Sequence, residues 1–287
     1  MVTKSIHAQG RKYGWKKDSI DKRDFKFSAP LHLVSTLPSS IDLSDKWKTV
    51  YDQSTLGSCS ANAIGGGFEY DLIAQNLVDF MPSRLFIYYN ERAAEGTINE
   101  DSGAMIRDGI KSLNVQGVCP ESMWPYKINR FRQKPTDDCY TEALNHTSVL
   151  YQRVGQTLNE IKTTLASGFP IVFGFMVYES FESEIVAETG MMSMPKEGER
   201  CLGGHAVICC GFDDKKQCFK IRNSWGEAWG DKGYFWMPYD YLTHSQLSSD
   251  LWVITSINSK TPKEVVKDDK QSFWSKIYKF ISSLFKR

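Results

Sequence analysis

The hydrophobic pattern of this 287-residue chain changes near residue 200, and that change limits the folds open to it. Before this point, apolar residues recur at helical spacing and predict four helices, over 59–76, 82–95, 102–117 and 158–168. Continuous or alternating apolar runs predict five strands, at 169–178, 205–213, 218–225, 233–238 and 250–255. Helices that precede most of the strands predict an α+β fold with two layers or two subdomains.

The first predicted helix contains three consecutive glycines, Gly65 to Gly67. A glycine in a helix interior costs roughly 1 kcal/mol relative to alanine. We therefore expect this helix only if it is buried against close neighbours.

Charge is distributed unevenly along the chain. Residues 1–38 carry eight Lys or Arg and three Asp, a net charge of +5, and residues 260–287 also carry +5. The whole chain has a net charge of +1, so residues 39–259 carry −9. This asymmetry indicates basic arms that dock on the acidic body or on an external anionic surface. Two solvated tails are the alternative.

The N-terminal sequence lacks the apolar region of a secretory signal, and no run of about 18 apolar residues predicts a membrane span. The seven cysteines are an odd number, and we expect them to be mostly reduced. The expected location is intracellular and cytoplasmic, with packaging in a virus particle as the alternative. Cys119 and Cys139 are a pair that could form a disulfide under oxidising conditions, and the sequence does not decide this.

Four residues could together carry nucleophilic chemistry. Cys59 stands where the first helix should begin, and a helix N-terminus and a nearby imidazolium both favour a thiolate. His205 follows two glycines at the start of a predicted strand. Asn223, next to Trp225, could accept the imidazole N–H and fix its tautomer. Gln53, six residues before Cys59, could donate to an oxyanion.

These motifs stand together in an order that resembles the papain-like cysteine peptidases. The order is Gln53, then Gly57-Ser58-Cys59, then Gly204-His205-Ala206-Val207, and then Asn223-Ser224-Trp225-Gly226 with Trp229. The resemblance runs from about Leu37 to Ile254. The segment DKRDFKFSAP before LPSSIDLS is similar to the bacterial and large-DNA-virus branch of that family.

The resemblance implies a papain-like fold with a helical left subdomain, roughly 40–145, and a β-barrel-like right subdomain, roughly 146–257. The active site would lie in the cleft between them. It further implies that Cys59 is the nucleophile, His205 the general base and acid, Asn223 its orienting partner and Gln53 part of the oxyanion hole. No metal or cofactor is expected.

The resemblance also implies supporting and substrate-binding residues. Trp225 and Trp229 would support the site, and the expected substrate contacts are Gly57, Ser58, Gly103 and Gly204. The chain departs from the family at two positions. Leu56 stands where the family usually has a disulfide-bonded cysteine, and Ser60 stands where it usually has tryptophan. A side-chain pocket can be aligned only loosely, near Leu247 and Ala206.

Two arms flank the peptidase domain of residues 37–257. Residues 1–36 are a candidate inhibitory segment whose Tyr13-Gly14-Trp15 could enter an apolar cleft, and packing on the back of the fold is the alternative. Residues 258–287 are a basic tail with a predicted amphipathic helix over about 271–286. Such helices bind anionic membranes or partner proteins, and docking on the chain's own domain is the alternative.

The predicted function is a cysteine endopeptidase acting on protein or peptide substrates through a Cys59 acyl-enzyme, without nucleic acid as a partner. Acyl transfer or exopeptidase trimming would use the same nucleophile. The alternative outside the enzymes is a non-catalytic protein on the same fold, either a binding protein or a scaffold in a particle or at a membrane.

Overall fold

The computed structural model describes residues 10–29 and 37–260. These residues form seven α-helices: α1 Cys59–Ala74, α2 Arg84–Ala94, α3 Ile106–Val115, α4 Asp137–Ala143, α5 Leu158–Ala166, α6 Glu184–Thr189 and α7 Tyr239–Thr243. They also form nine strands: β1 Trp15–Lys16, β2 Ser40–Asp42, β3 Ala104–Met105, β4 His146–Arg153, β5 Ile171–Tyr178, β6 Cys201–Asp213, β7 Cys218–Arg222, β8 Tyr234–Pro238 and β9 Ser248–Ser259. The α+β fold expected from the sequence is confirmed.

Seven strands form one antiparallel sheet in the order β4-β9-β5-β6-β7-β8, and β2 pairs with β6 beside this path. The residues of β2 therefore join the sheet. The remaining two strands, β1 and β3, form a separate two-residue parallel pair.

Helix α1 packs against β6 and β9 and forms although three glycines lie in it. A Cβ on Gly66 would lie 2.8 Å from Ile208 Cδ1 and 2.9 Å from Arg222 Nη1. A Cβ on Gly67 would lie 3.3 Å from a methyl group of Val172. The glycines allow the helix to approach the sheet closely, and tertiary packing offsets their low helix propensity.

The buried apolar residues form two hydrophobic clusters. One is formed by α1, α2 and α3 with the inner face of β6 and β9, and the other lies within the sheet around Phe173, Phe175 and Phe235. Cys59 begins α1 in the first cluster, whereas His205 lies on β6. The N-terminus of α1 thus meets the sheet where the two clusters adjoin.

The predicted helices and strands are all present, with β6 and β9 longer than the apolar runs suggested. The sequence pattern missed the strands β1 to β4 and the short helices α4, α6 and α7. Strand β4 reads His-Thr-Ser-Val-Leu-Tyr-Gln-Arg and lies at the sheet edge, where polar residues weaken the strand signal.

The described part of the N-terminal arm is irregular apart from β1, as predicted. The remaining arm residues, 1–9 and 30–36, and the predicted amphipathic helix at 271–286 lie outside the described residues. Within the described ranges, no helix has the length and apolar character needed to cross a membrane.

Candidate active site

Cys59 is the first residue of α1 and is fully buried. Burial raises the pKa of its thiol to about 11, and backbone hydrogen bonds from Ala206 and Gly14 oppose this rise. The thiol is therefore protonated at neutral pH in this structure. Its two amide neighbours come from the strand that carries His205 and from the N-terminal arm.

His205 forms a directed pair with Asn223. The Nε2 atom of the imidazole lies 2.8 Å from Asn223 Oδ1, and this oxygen also accepts from the Ser224 backbone N–H at 2.8 Å. Since Oδ1 acts as an acceptor, Nε2 carries the proton and Nδ1 keeps its lone pair. Among the described residues, Nδ1 has no hydrogen-bond partner. This tautomer leaves Nδ1 available to take a proton from a thiol.

Burial lowers the pKa of His205 to about 4, although the hydrogen bond to Asn223 raises it in part. The indole of Trp225 lies on the imidazole with ring centroids 5.3 Å apart and an interplanar angle of 33°. Trp229 meets Trp225 edge-on at 4.9 Å. Trp225 thus covers the imidazole ring, and Trp229 packs against Trp225.

Both ends of the Gln53 side-chain amide are fixed. Its Oε1 accepts from Ser224 Oγ at 2.7 Å, and its Nε2 donates to Leu56 O at 3.0 Å. The same Nε2 donates to the carbonyl oxygen of Lys12 at 3.2 Å. A donor held in this way is preorganised to meet an oxygen in the cleft.

The three glycines predicted to contact substrate line the path of the N-terminal arm. A Cβ on Gly103, which has φ +69°, would overlap the Gly14 carbonyl, and a Cβ on Gly14 would overlap the Gly57 carbonyl. A Cβ on Gly204 would lie 2.6 Å from the Trp15 indole. Gly103 and Gly204 in the cleft, and Gly14 in the arm, thus permit the arm to approach closely.

Ser58, the fourth predicted substrate contact, has a fully buried side chain. Its hydroxyl lies 2.6 Å from Tyr126 Oη and accepts from Asn62 Nδ2 at 3.1 Å. A buried hydroxyl needs hydrogen-bond partners, and Tyr126 and Asn62 supply them. These contacts help to fix the turn before Cys59.

Residues 11–16 of the arm run directly over these groups. The Tyr13 ring meets the His205 ring edge-on at a centroid distance of 6.0 Å, and its hydroxyl donates to Glu182 Oε1 at 2.5 Å. The carbonyl of Gly14 accepts from the Ala104 backbone N–H at 2.8 Å, next to the parallel β1–β3 pair. The prediction that Tyr13-Gly14-Trp15 enters the cleft agrees with this arrangement.

Sequence reasoning missed the residues that hold the arm. Lys12 pairs with Asp101 at 2.7 Å, and Trp15 Nε1 donates to Asp250 Oδ2 at 3.2 Å. Asp101 was within reach of prediction, since it stands two residues before Gly103. Glu182 and Asp250 carry no local motif that marks them.

Across residues 10–29 and 37–260, no three His, Cys, Asp or Glu side chains converge in a way that could hold a metal ion. All seven cysteines are free thiols. Cys119 and Cys139 are close enough for their side chains to hydrogen-bond.

Comparisons with known proteins identify the family and several relatives of this chain. A family model described as "Papain family cysteine protease" covers residues 37–254. The peptidase C1-like protein L477 of Acanthamoeba polyphaga mimivirus is 44% identical, over 90% of this chain and 93% of its own length. Cathepsin S of Rattus norvegicus is 26% identical, over 75% of this chain and 64% of its own.

The crystal structure of xylellain, a cysteine protease from Xylella fastidiosa, has a TM-score of 0.81 and 43% identity. The alignment covers 87% of this chain and 96% of xylellain. The viral and bacterial relatives confirm the resemblance predicted from the motifs.

Proposed function

This chain belongs to the papain family of cysteine proteases, and we propose that it is an endopeptidase whose own N-terminal arm covers the catalytic groups until it is displaced. The observation that carries the proposal is a hydrogen bond from Gln53 Nε2 to the carbonyl oxygen of Lys12. The chain's own backbone thereby takes a position suited to a substrate carbonyl.

We propose the following reaction. Nδ1 of His205 takes the Cys59 proton, and the thiolate attacks the substrate carbonyl carbon. Gln53 Nε2 and the Cys59 backbone N–H stabilise the resulting oxyanion. The imidazolium then protonates the leaving amine as the C–N bond breaks. Water, deprotonated by His205, hydrolyses the thioester and regenerates the thiol.

The arm engages each catalytic group separately. The backbone of Gly14 hydrogen-bonds to the Cys59 sulfur, the ring of Tyr13 packs on His205, and the Lys12 carbonyl binds Gln53. An incoming peptide would need all three places. Steric occupation is thus the first support for inhibition.

The protonation states provide a second support. Burial holds the pKa of Cys59 at about 11 and the pKa of His205 at about 4, so both groups are neutral near pH 7. A neutral thiol is a weak nucleophile compared with its thiolate. Removing the arm would expose both groups to water and favour the thiolate–imidazolium pair.

Charge complementarity is a third support. Arg11 pairs with Asp52 at 2.5 Å, Lys12 with Asp101 at 2.7 Å, and Lys16 with Glu95 at 2.9 Å. Each pair is partly exposed and contributes only about 0–1 kcal/mol. Together they guide the basic arm to the acidic body and set its register.

A direct test compares Cys59 labelling before and after release of the arm. A recognition site for a specific processing protease is placed within residues 30–36, and the folded chain is cut and freed of the arm by gel filtration. An epoxysuccinyl probe is added to the cut and uncut proteins, and the intact mass is measured, with Cys59→Ala as control.

We expect rapid labelling of the cut protein, slow labelling of the uncut protein and none of the control. Equal labelling of cut and uncut proteins would overturn inhibition by the arm but not peptidase activity. No labelling of either folded protein would favour the scaffold alternative.

A further inference from the structure

The Trp15 side chain fills a pocket created by two glycines on neighbouring strands. Gly174 of β5 pairs with Ala206, and Gly204 of β6 pairs with Met176, so both glycines lie on the same face of the sheet. A Cβ on Gly174 would overlap the indole, and a Cβ on Gly204 would lie 2.6 Å from it. The missing side chains thus leave a flat space beside the catalytic groups.

Asp250 closes the inner end of this pocket. Its Oδ2 accepts a hydrogen bond from the indole N–H of Trp15 at 3.2 Å, and Asp250 is only 4% exposed. A backbone feature aims it there. Strands β5 and β9 pair Val172 with Trp252 but Gly174 with Ser249, so β9 has one extra residue between these pairs. Bulges of this kind redirect a side chain near active sites.

The backbone at Asp250 supports the same conclusion. Its φ of 59° lies in the left-handed region, where aspartate and asparagine are tolerated better than most residues. Uncommon backbone conformations of this kind persist where the surrounding structure fixes them, often at ligand-binding positions. The bulge and this conformation together place an acceptor at the pocket end.

The charges around Asp250 favour a neutral donor. In the covered state it accepts from Trp15 Nε1 and from the Asp18 backbone N–H at 2.7 Å, and Arg153 Nη1 lies 3.5 Å from its Oδ1. Departure of the arm removes the first two donors and leaves Arg153 in place. The carboxylate then keeps a balancing cation but lacks a donor within the pocket.

We propose that this pocket selects tryptophan in the peptide substrates of the released enzyme, with Asp250 as the residue that reads the indole N–H. This inference rests on the proposed peptidase function and names its substrate class. The substrate residue that replaces Trp15 gains the same flat space between the glycines. A tryptophan satisfies the acceptor, whereas an aromatic side chain without N–H leaves a buried carboxylate short of a donor.

The test uses quenched fluorescent peptides and the chain cut within residues 30–36 and freed of its arm. Tryptophan, phenylalanine or 3-benzothienylalanine is placed in turn at each of four positions, two before the cleaved bond and two after it. Benzothienylalanine matches the shape of tryptophan but replaces the N–H with sulfur. Active-site titration at Cys59 with the epoxysuccinyl probe normalises every rate.

Two substitutions separate hydrogen bonding from packing. Asp250→Asn keeps an oxygen acceptor and tolerates positive φ, while Asp250→Gly removes the acceptor and also tolerates positive φ. We expect tryptophan to exceed benzothienylalanine in kcat/KM by about tenfold or more at one position in the wild type. That ratio should persist in Asp250→Asn and fall to near one in Asp250→Gly.

Equal kcat/KM for tryptophan and benzothienylalanine in the wild type would overturn the inference and needs no variant to fold. A ratio that is unchanged in Asp250→Gly would overturn the role of Asp250. Failure of the proposed function has a different signature, since neither hydrolysis of any peptide nor labelling of Cys59 would then occur.

Discussion

Replacing Trp15 with alanine should release the arm and expose Cys59 in the uncut chain. Trp15 is only 8% exposed when the arm is docked. A tryptophan side chain buries about 150–250 Å² and, at about 25 cal/mol per Å², contributes about 4–6 kcal/mol as an upper bound. The measured cost of large-to-small changes at buried aromatic sites, about 3–5 kcal/mol, agrees with this range.

The loss acts on docking because the arm is exposed when it is released. With a cost of about 3 kcal/mol and about 1.4 kcal/mol for each factor of ten, the open fraction should rise about 100-fold. Only the open form reacts with the probe, so the labelling rate should rise by the same factor until the arm is fully released. The assay is the second-order rate constant for epoxysuccinyl labelling of Cys59 in the uncut chain.

Ile20→Ala is the matched control because Ile20 lies on the same arm but is 95% exposed. It should label at the rate of the unmodified chain. Labelling of Trp15→Ala at that same rate, while the cut protein labels quickly, would show that Trp15 does not hold the arm. Equal acceleration by Ile20→Ala and Trp15→Ala would show that burial of Trp15 is not the cause.

Three further outcomes are expected. Iodoacetamide alkylation of Cys59 in the uncut chain should keep rising above pH 10, because burial raises its pKa to about 11, and the inflection should move to lower pH after the arm is removed. Burial, and then repulsion from Asp250, raise the pKa of Asp18 to about 6, so its contribution to docking is complete below its ordinary 3.8 and is lost as pH rises through 6. Hydrogen exchange of residues 10–18, corrected for intrinsic rates, should therefore accelerate between about pH 4 and 6 and become flat in Asp18→Asn. Ser60→Ala removes the 2.6 Å donor to the fully buried Glu91, at a cost of about 1–3 kcal/mol, and an unchanged Tm would contradict that estimate.

The candidate catalytic residues could be singled out from the sequence because each carries its own local signal. Cys59 stands at a helix start, His205 follows two glycines at a strand edge, and Asn223 stands beside a tryptophan. Their order along the chain then identified the family. The sequence could not supply the pKa shifts of Cys59 and His205, since these depend on how deeply the folded chain buries both side chains.

The position of the side-chain pocket was predictable only approximately. The alignment placed it near Leu247 and Ala206, and Ala206 pairs with Gly174, which lies against Trp15. The alignment did not single out Gly174 or Asp250. The pocket depends on a missing Cβ in β5 and on an extra residue in β9, and neither feature alters hydrophobic periodicity. A bulge changes which face a side chain occupies without changing the amino acids that a pattern can detect.

The covalent attachment of the arm makes its binding independent of protein concentration. Residues 30–36 join the docked arm to Leu37, and a short tether holds its two ends at an effective concentration of about millimolar. One cut in this tether turns docking into a two-molecule equilibrium. At micromolar enzyme the occupancy ratio then falls about a thousandfold with every contact unchanged. Dilution should therefore activate the cut enzyme progressively and leave the uncut enzyme unaffected.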